Sequence, residues 1–171
     1  LVESDLVSDQ RRMINLLYQN GEICEKELND NERALKFYQQ VLDLRPDHLQ
    51  ALRAVGNLYL KEGRWDDLVR MYRRELRITK EPAQREQLLY RVGAIYEDEL
   101  GELDRALEQY EAILRDNPQS LAAMHALERI YRRQGDTGKL VEIFRKQAEF
   151  AKDEVMKLYY LYKVAEVLDD M

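Results

Sequence analysis

The chain has 171 residues, of which 45% are hydrophobic and 35% charged, with only 7 glycines and 3 prolines. That balance suits a helix-rich globular domain and excludes an intrinsically disordered chain. A net charge of −6 argues against a general nucleic-acid binder, and the single cysteine, Cys24, excludes an internal disulfide or a cysteine-rich metal centre. No apolar run approaches the roughly 20 residues that a membrane helix requires, and the first residues carry no signal-peptide pattern. The compartment stays open, with the cytoplasm favoured.

Residues 1–7 are acidic and partly apolar and read as the tail of a preceding helix, with Ser8 or Asp9 as the N-cap of the next one. Met13, Leu16, Leu17, Ile23 and Leu28 follow at helical spacing, and Asn29, Asp30 and Asn31 break that helix. The second helix covers residues 32–45, with Ala34, Leu35, Tyr38, Val41 and Leu42 on one face. Pro46 cannot continue it but fits the first turn of the third. The third helix uses Leu49, Leu52, Val55, Gly56, Leu58 and Tyr59 and turns at Gly63; the fourth presents Trp65, Leu68, Val69, Tyr72 and Leu76. After a polar break at Thr79–Pro82, a fifth helix carries Leu88, Leu89, Val92, Ile95, Tyr96 and Leu100. A sixth carries Leu103, Ala106, Leu107, Tyr110, Ile113 and Leu114. Pro118 opens a further pair, with Leu121, Met124, Leu127, Ile130 and Tyr131 before Gly135, then Leu140, Val141, Ile143, Phe144 and Phe150. A ninth helix starts near Asp153.

The series repeats. Gly21 and Gly93, Ala34 and Ala106, Tyr38 and Tyr110, and Pro46 and Pro118 are each separated by 72 residues, as are Tyr90 and Tyr162. A constant offset across so many positions marks an internal repeat of helix pairs, each about half that length. One such pair cannot bury its apolar stripe alone, so stacking must supply the core. Tyr38 and Tyr110 are the expected aromatic knobs between pairs.

Gly56 and Tyr59 with Trp65, Leu68 and Tyr72, Gly93 and Tyr96 with Ala106, Tyr110 and Pro118, and Tyr131 with Leu140 and Phe144 resemble the tetratricopeptide repeat. The likeness is to tandem helix-pair arrays of the bacterial type and covers nearly the whole chain. Leu68 and Leu140 stand where the family has alanine, and Glu128 where it has glycine. The first and third pairs carry one residue more between their glycine and alanine than the second pair carries between Gly56 and Leu68. The resemblance implies an all-α fold: a right-handed α-solenoid of antiparallel helix pairs, four pairs and a final helix, forming a single domain over residues 1–171. Its repeats are 8–46, 47–80, 81–118 and 119–152, with a partial repeat at 153–171, and the whole reads as a piece of a longer array. The final helix, with Leu158, Tyr159, Tyr160, Leu161, Val164 and Val167, is apolar over a wide arc and is expected to seek a further partner, including another copy of the chain.

No pattern for catalysis stands out. There is no phosphate-cradling glycine loop and no nucleophile elbow, and the two histidines, His48 and His125, have no acidic partner at metal spacing. No enzyme activity, cofactor or metal is expected. Cys24 reads as a buried, inert thiol and His48 as a surface residue at a helix start. His125 faces either a groove or solvent. Glu25, Glu27, Glu97 and Glu99 read as solvated carboxylates.

In the resembled family the first helix of each pair lines a concave groove. The matching partner-binding positions are Arg53, Asn57, Lys61, Gln87, Tyr90, Arg91, His125, Arg129 and Arg132. The set is basic from Arg53 onward although the protein is acidic. Arg53 and Asn57 match two positions of the family's clamp for peptide carboxylates, whereas Arg91, Ala122 and Ala126 do not. The expected function is therefore a non-catalytic interaction scaffold that binds a peptide or helical segment of acidic or aromatic character, with no nucleic acid and no membrane insertion. The alternatives are a purely structural segment of a larger solenoid and, more distantly, an RNA-binding helical repeat.

Overall fold

Helix-forming stretches punctuated by capping residues lay out the architecture. The computed structural model describes the backbone of residues 2–169 and the side chains of residues 8–169, and the described residues contain helices and no strand. Residues 1–80 and 81–171 form two compact units.

In the first unit, α1 (Val2–Lys26), α2 (Asn31–Leu44), α3 (Leu49–Lys61) and α4 (Trp65–Ile78) each pack on the next helix in sequence. α1 runs through Ser8 and Asp9 without a break, so neither residue is an N-cap. Leu1 lies outside the described residues. The break at 29–31 is as expected: Asn29 adopts a left-handed φ of 51°, and the Asp30 side chain caps α2 by accepting from the Arg33 amide at 3.0 Å. Pro46 lies in the loop before α3 rather than in its first turn, and His48 is the cap, its Nδ1 accepting from the Ala51 amide at 3.2 Å. His48 is buried, against the expectation of a surface residue. Its ring packs on Tyr18 with centroids 5.5 Å apart, so an aromatic platform on α1 covers what looked like a polar turn.

The second unit repeats the plan with α5 (Pro82–Ala94), α6 (Leu103–Asp116), α7 (Leu121–Gln134), α8 (Thr137–Glu149) and α9 (Glu154–Asp169), again packed in sequence. Pro82 occupies the first turn of α5 behind the Glu81 cap. Pro118, in contrast, precedes the Ser120 cap of α7 and sits in the loop. Gly135 closes α7 in the left-handed region, φ 67°, where a side chain would be strained.

The extra residue of the first and third pairs is absorbed locally. α5 runs directly into a π-helical turn, Ile95–Glu99, and the Leu100 amide reaches back five residues to the Ile95 carbonyl at 3.1 Å. α1 ends the same way, with the Leu28 amide bonded to the Ile23 carbonyl at 3.1 Å. An inserted residue in a helix is accommodated by such a widened turn.

Inside each unit the core is a row of interlocking side chains. Tyr38 and Tyr110 are fully buried, as are Val41, Leu52 and Leu58 in the first unit and Ile113, Met124, Leu127 and Ile130 in the second. Each tyrosine ring lies against a glycine. A Cβ on Gly21 would stand 2.5 Å from the Tyr38 ring and one on Gly93 2.6 Å from the Tyr110 ring, closer than van der Waals contact permits. The apolar spacing of α1 does not translate into burial along its whole length. Ile14 and Cys24 are buried, but Met13, Leu16, Ile23 and Leu28 are exposed. Phe150 lies just beyond the end of α8 and is half-buried.

Candidate functional site

The first helix of each pair carries the expected partner-binding residues, and the two units use them differently. In the first unit, Arg53, Asn57 and Lys61 lie one turn apart along α3 and all three are exposed. Two of them are engaged. The Arg53 Nε donates to Glu75 Oε1 at 2.7 Å, and the Lys61 Nζ donates to Glu25 Oε1 at 3.0 Å. Glu25 also accepts from the Tyr38 hydroxyl at 3.0 Å, so the lysine, carboxylate and core tyrosine form a chain.

In the second unit, Gln87, Tyr90 and Arg91 from α5 meet Ala122 from α7 around one cavity of about 410 Å³, which Ala83 and Glu86 complete. Tyr90 is half-buried and rests on Tyr110, ring centroids 5.4 Å apart and tilted by 53°. Its outer face is the aromatic wall of the cavity. Farther along α7, His125, Arg129 and Arg132 are exposed but tied down. Arg129 forms a two-pronged bond to Glu97, Nε to Oε1 at 2.7 Å and Nη2 to Oε2 at 2.6 Å, and Arg133 stands 3.6 Å from the same carboxylate. The Tyr110 hydroxyl donates to Glu97 Oε2 at 3.2 Å. Arg132 holds Glu128 through two 3.2 Å bonds, and its guanidinium sits 5.5 Å from the Phe144 ring centroid. The His125 Nδ1 is 3.2 Å from Gln147 Nε2 and 3.6 Å from Glu128 Oε2.

Glu97 corrects the expectation of a solvated carboxylate. Its side chain is only 1% exposed, whereas Glu27 and Glu99 do lie in solvent. Glu25 is intermediate, its side chain 15% exposed. Burial pushes the Glu97 carboxyl up, but the Arg129 bonds, the Arg129 charge, the Tyr110 hydroxyl and Arg133 outweigh it and hold the group below its ordinary value. The same pairing raises the Arg129 guanidinium further, and burial followed by the Glu97 charge raises the Tyr110 hydroxyl. Glu97 is thus an ionised anchor at neutral pH whose charge is satisfied from two helices.

Glu75 and Gln147 did not stand out in the sequence, yet they occupy one slot in the two units. The 72-residue offset pairs Arg53 with His125 and Glu75 with Gln147, so an ion pair in the first unit becomes an amide–imidazole contact in the second, where Gln147 Nε2 also donates to Glu128 Oε2 at 3.1 Å. Gln147 is fully buried, and its Oε1 has no hydrogen-bond partner among the described residues. The offset alone could have flagged the slot, because both members fall on helix faces that the repeat turns inward.

Among the described residues no group of three or more histidine, cysteine, aspartate or glutamate side chains is arranged to hold a metal ion, and Cys24 is buried. No helix of the described residues is long and apolar enough to cross a membrane. What the first-helix faces offer is guanidinium and amide groups beside exposed tyrosine edges.

Comparison with known proteins places the fold. Tetratricopeptide repeat profiles match residues 16–50, 51–86 and 123–154, and a second profile of the same description matches 87–120. The chain is 32% identical over 110 residues to anaphase-promoting complex subunit 7 of Arabidopsis thaliana, an alignment covering 64% of this chain and 19% of that protein. It therefore spans about a fifth of the length of this curated relative. Among solved structures, MamA superposes with a TM-score of 0.57 at 17% identity, covering 95% of this chain and 86% of that one. PilF of Pseudomonas aeruginosa gives 0.55 at 14% identity, covering 92% and 69%. The N-terminal domain of stress-induced protein-1 of C. elegans gives 0.55 at 13% identity, covering 68% and 94%. At these identities the structural likeness speaks to the fold alone, but the profile matches extend over most of the sequence. The chain belongs to the tetratricopeptide repeat family.

Proposed function

We propose that this chain is a non-catalytic scaffold that holds a peptide or helical segment of another protein against the first-helix faces of its repeats. Protein interaction is the usual role of the family. The observation that carries the reading is the cavity of about 410 Å³ at which Gln87, Tyr90, Arg91 and Ala122 converge. An amide, an aromatic edge and a guanidinium around a small-residue floor suit a segment that presents a carboxylate next to an aromatic or aliphatic side chain. Arg129, Arg53 and Lys61 already neutralise internal carboxylates, so the contacts are assigned to the cavity-lining Gln87, Tyr90 and Arg91. The carboxylate-clamp variant of this reading is weaker, because Arg53 is bonded to Glu75.

The test is titration of amide NMR spectra with two acetylated, amidated peptides, one centred on Asp-Phe and one on Asn-Phe. The Asp-Phe peptide should shift the Gln87, Tyr90 and Arg91 amides. Arg91→Glu should weaken it by about tenfold or more, equivalent to about 1.4 kcal/mol, without loss of the folded spectrum. Equal response to both peptides, or unchanged affinity in a folded Arg91→Glu protein, would overturn the reading.

A second reading, assembly through α9, rests on a separate observation. Val155, Leu158 and Tyr162 are 76%, 63% and 64% exposed, with Tyr159 and Leu161 beside them. At the 72-residue offset Leu161 and Ala165 correspond to Leu89 and Gly93, which are buried in the second unit. α9 therefore carries a helix-seating face that another helix, including one from a second copy, could cover. The named role of the plant relative as a subunit of a larger complex fits such assembly.

A further inference from the structure

A second cavity, of about 690 Å³, opens at the loop end of the second unit, where α5 begins and α6 ends. Its floor is apolar: Leu89 from α5, Ile113 from α6, Pro82, Pro118 and the half-buried Phe150 after α8. Its rim carries three carboxylates, Glu81, Glu86 and Asp116, and no basic side chain lines it. Glu86 is fixed in place, with Asn117 Nδ2 donating to Oε2 at 2.9 Å and Ser120 Oγ donating to Oε1 at 2.6 Å. The carbonyl end of α6, which closes at Asp116, adds a negative helix pole, while the positive pole at the start of α5 is capped by Glu81, whose carboxylate accepts from the Ala83 and Gln84 amides at 3.2 and 2.8 Å.

The first unit carries different residues at this corner. The 72-residue offset places Ile14 at the position of Glu86 and His48 at that of Ser120, and both are buried, the histidine packed on Tyr18. It places Leu44 at Asp116 and Arg45 at Asn117. Two of these positions in the first unit are thus buried apolar and aromatic groups. In the second unit the corner carries Glu86 and Asp116 on the rim of the cavity.

We propose that this cavity is a docking pocket for a partner protein segment that presents an arginine or lysine beside an apolar side chain. The apolar neighbour would sit on Leu89 and Ile113. The aliphatic stem of the basic residue would lie along Pro82 and Pro118, with its cation between Glu86 and Asp116 and within reach of the Phe150 ring. Complementary charge at such a rim selects the partner and speeds encounter more than it adds affinity, so binding should be weak and salt-sensitive. The site is distinct from the first-helix cavity, and the preferred charge is opposite. Glu86 and Ala83 stand between the two.

The experiment is titration of amide NMR spectra of the isotope-labelled protein with three acetylated, amidated pentapeptides: Gly-Leu-Arg-Leu-Gly and its Gln and Glu counterparts. The arginine peptide should shift the amides of Glu86, Ile113, Gln119 and Phe150, bind about tenfold more tightly than the glutamine peptide, and lose that advantage in high salt. Asp116→Lys should abolish the preference while leaving the Tyr90 and Arg91 amides in place; if that variant does not give a folded spectrum, Asp116→Asn should reduce the preference instead. Equal binding of the arginine and glutamine peptides, shifts centred on Gln87, Tyr90 and Arg91, or no shift at millimolar peptide would each overturn the proposal. Equal binding of the arginine and glutamine peptides, or no shift at all, leaves the Asp-Phe titration of the first-helix cavity untouched, so those failures are distinguishable from a failure of the first-helix reading.

Discussion

The two units build the same device with different strength. In residues 1–80, Glu25 links the core hydroxyl of Tyr38 to Lys61 and remains partly in solvent. In residues 81–171, Glu97 sits at the same repeat position, links Tyr110 to Arg133, and gains Arg129 where the first unit has Asn57. A carboxylate drawn into the protein must be compensated in proportion to its burial. The second unit buries its carboxylate more fully and supplies two guanidinium groups; the first leaves it wetter and uses one ammonium. Repeats of one plan can therefore carry different amounts of internal charge, and the more internal charge a face consumes, the less of its basic surface is left for a partner.

The largest expected effect tests what the units share. Tyr110→Ala and Tyr38→Ala should each lower stability by about 3–5 kcal/mol, since each empties a ring-sized hole against a glycine that cannot fill it. Urea unfolding followed by circular dichroism reads both variants. Trp65, the single tryptophan, lies in the first unit, so its fluorescence should respond more strongly to Tyr38→Ala. A loss below about 1 kcal/mol in either variant would mean that its ring is not a packing element.

A smaller effect tests what the units do not share. Arg129→Asn copies the first-unit arrangement into the second and should destabilise by about 2 kcal/mol. That is less than the 3–5 kcal/mol typical of stranding a fully buried charge, because Arg129 is half-exposed and Arg133 remains close. The reciprocal Asn57→Arg should gain less than about 1 kcal/mol, because Glu25 is already partly hydrated. pH gives a second readout. The Glu97 carboxyl is depressed in the folded protein, so its contribution is present above the ordinary value of about 4.3 and is lost as pH falls below it. Arg129→Asn should flatten that acid limb. Equal effects of the two substitutions would show that burial of the carboxylate does not set the strength of the device.

How much of this was legible from the sequence follows from how far apart the partners lie. The helix pairs and the Tyr38 and Tyr110 knobs were readable because periodicity and the 72-residue offset are local, additive signals. The burial of Glu97 was not, since Arg129 lies 32 residues away on another helix, and a Glu-Asp-Glu run at a helix end looks like solvated surface. The exposure of Met13, Leu16 and Ile23 was equally hidden: spacing defines an apolar arc but not which neighbour covers it. The first-helix residues could be placed on one face from the sequence, but their internal pairing, on which their availability to a partner depends, required the opposing helices.

His48 sharpens the comparison at the smallest scale and within an accessible pH range. Its counterpart in the second unit, Ser120, caps α7 with a hydroxyl that does not titrate near neutrality, bonded to the Ala123 amide at 3.4 Å. His48 caps α3 with a ring nitrogen that can accept only while unprotonated. Burial lowers its basicity, the Arg45 charge lowers it further, and its own backbone bond and Asp47 only partly oppose this. The folded protein therefore prefers the neutral ring, and the unfolded chain binds the extra proton first. Stability linked to His48 is complete above its ordinary value of about 6.5 and declines as pH falls from there toward the lowered folded value. Trp65 fluorescence should accordingly report a lower stability of the first unit at about pH 5 than at neutral pH, at pH values where Glu97 in the second unit is still ionised. His48→Ser copies the second-unit cap into the first and should remove this pH dependence, at the expense of the packing against Tyr18. A wild-type first unit whose stability is flat over that range would show that the protonated ring keeps its place, and the capping bond would then have no part in holding α3.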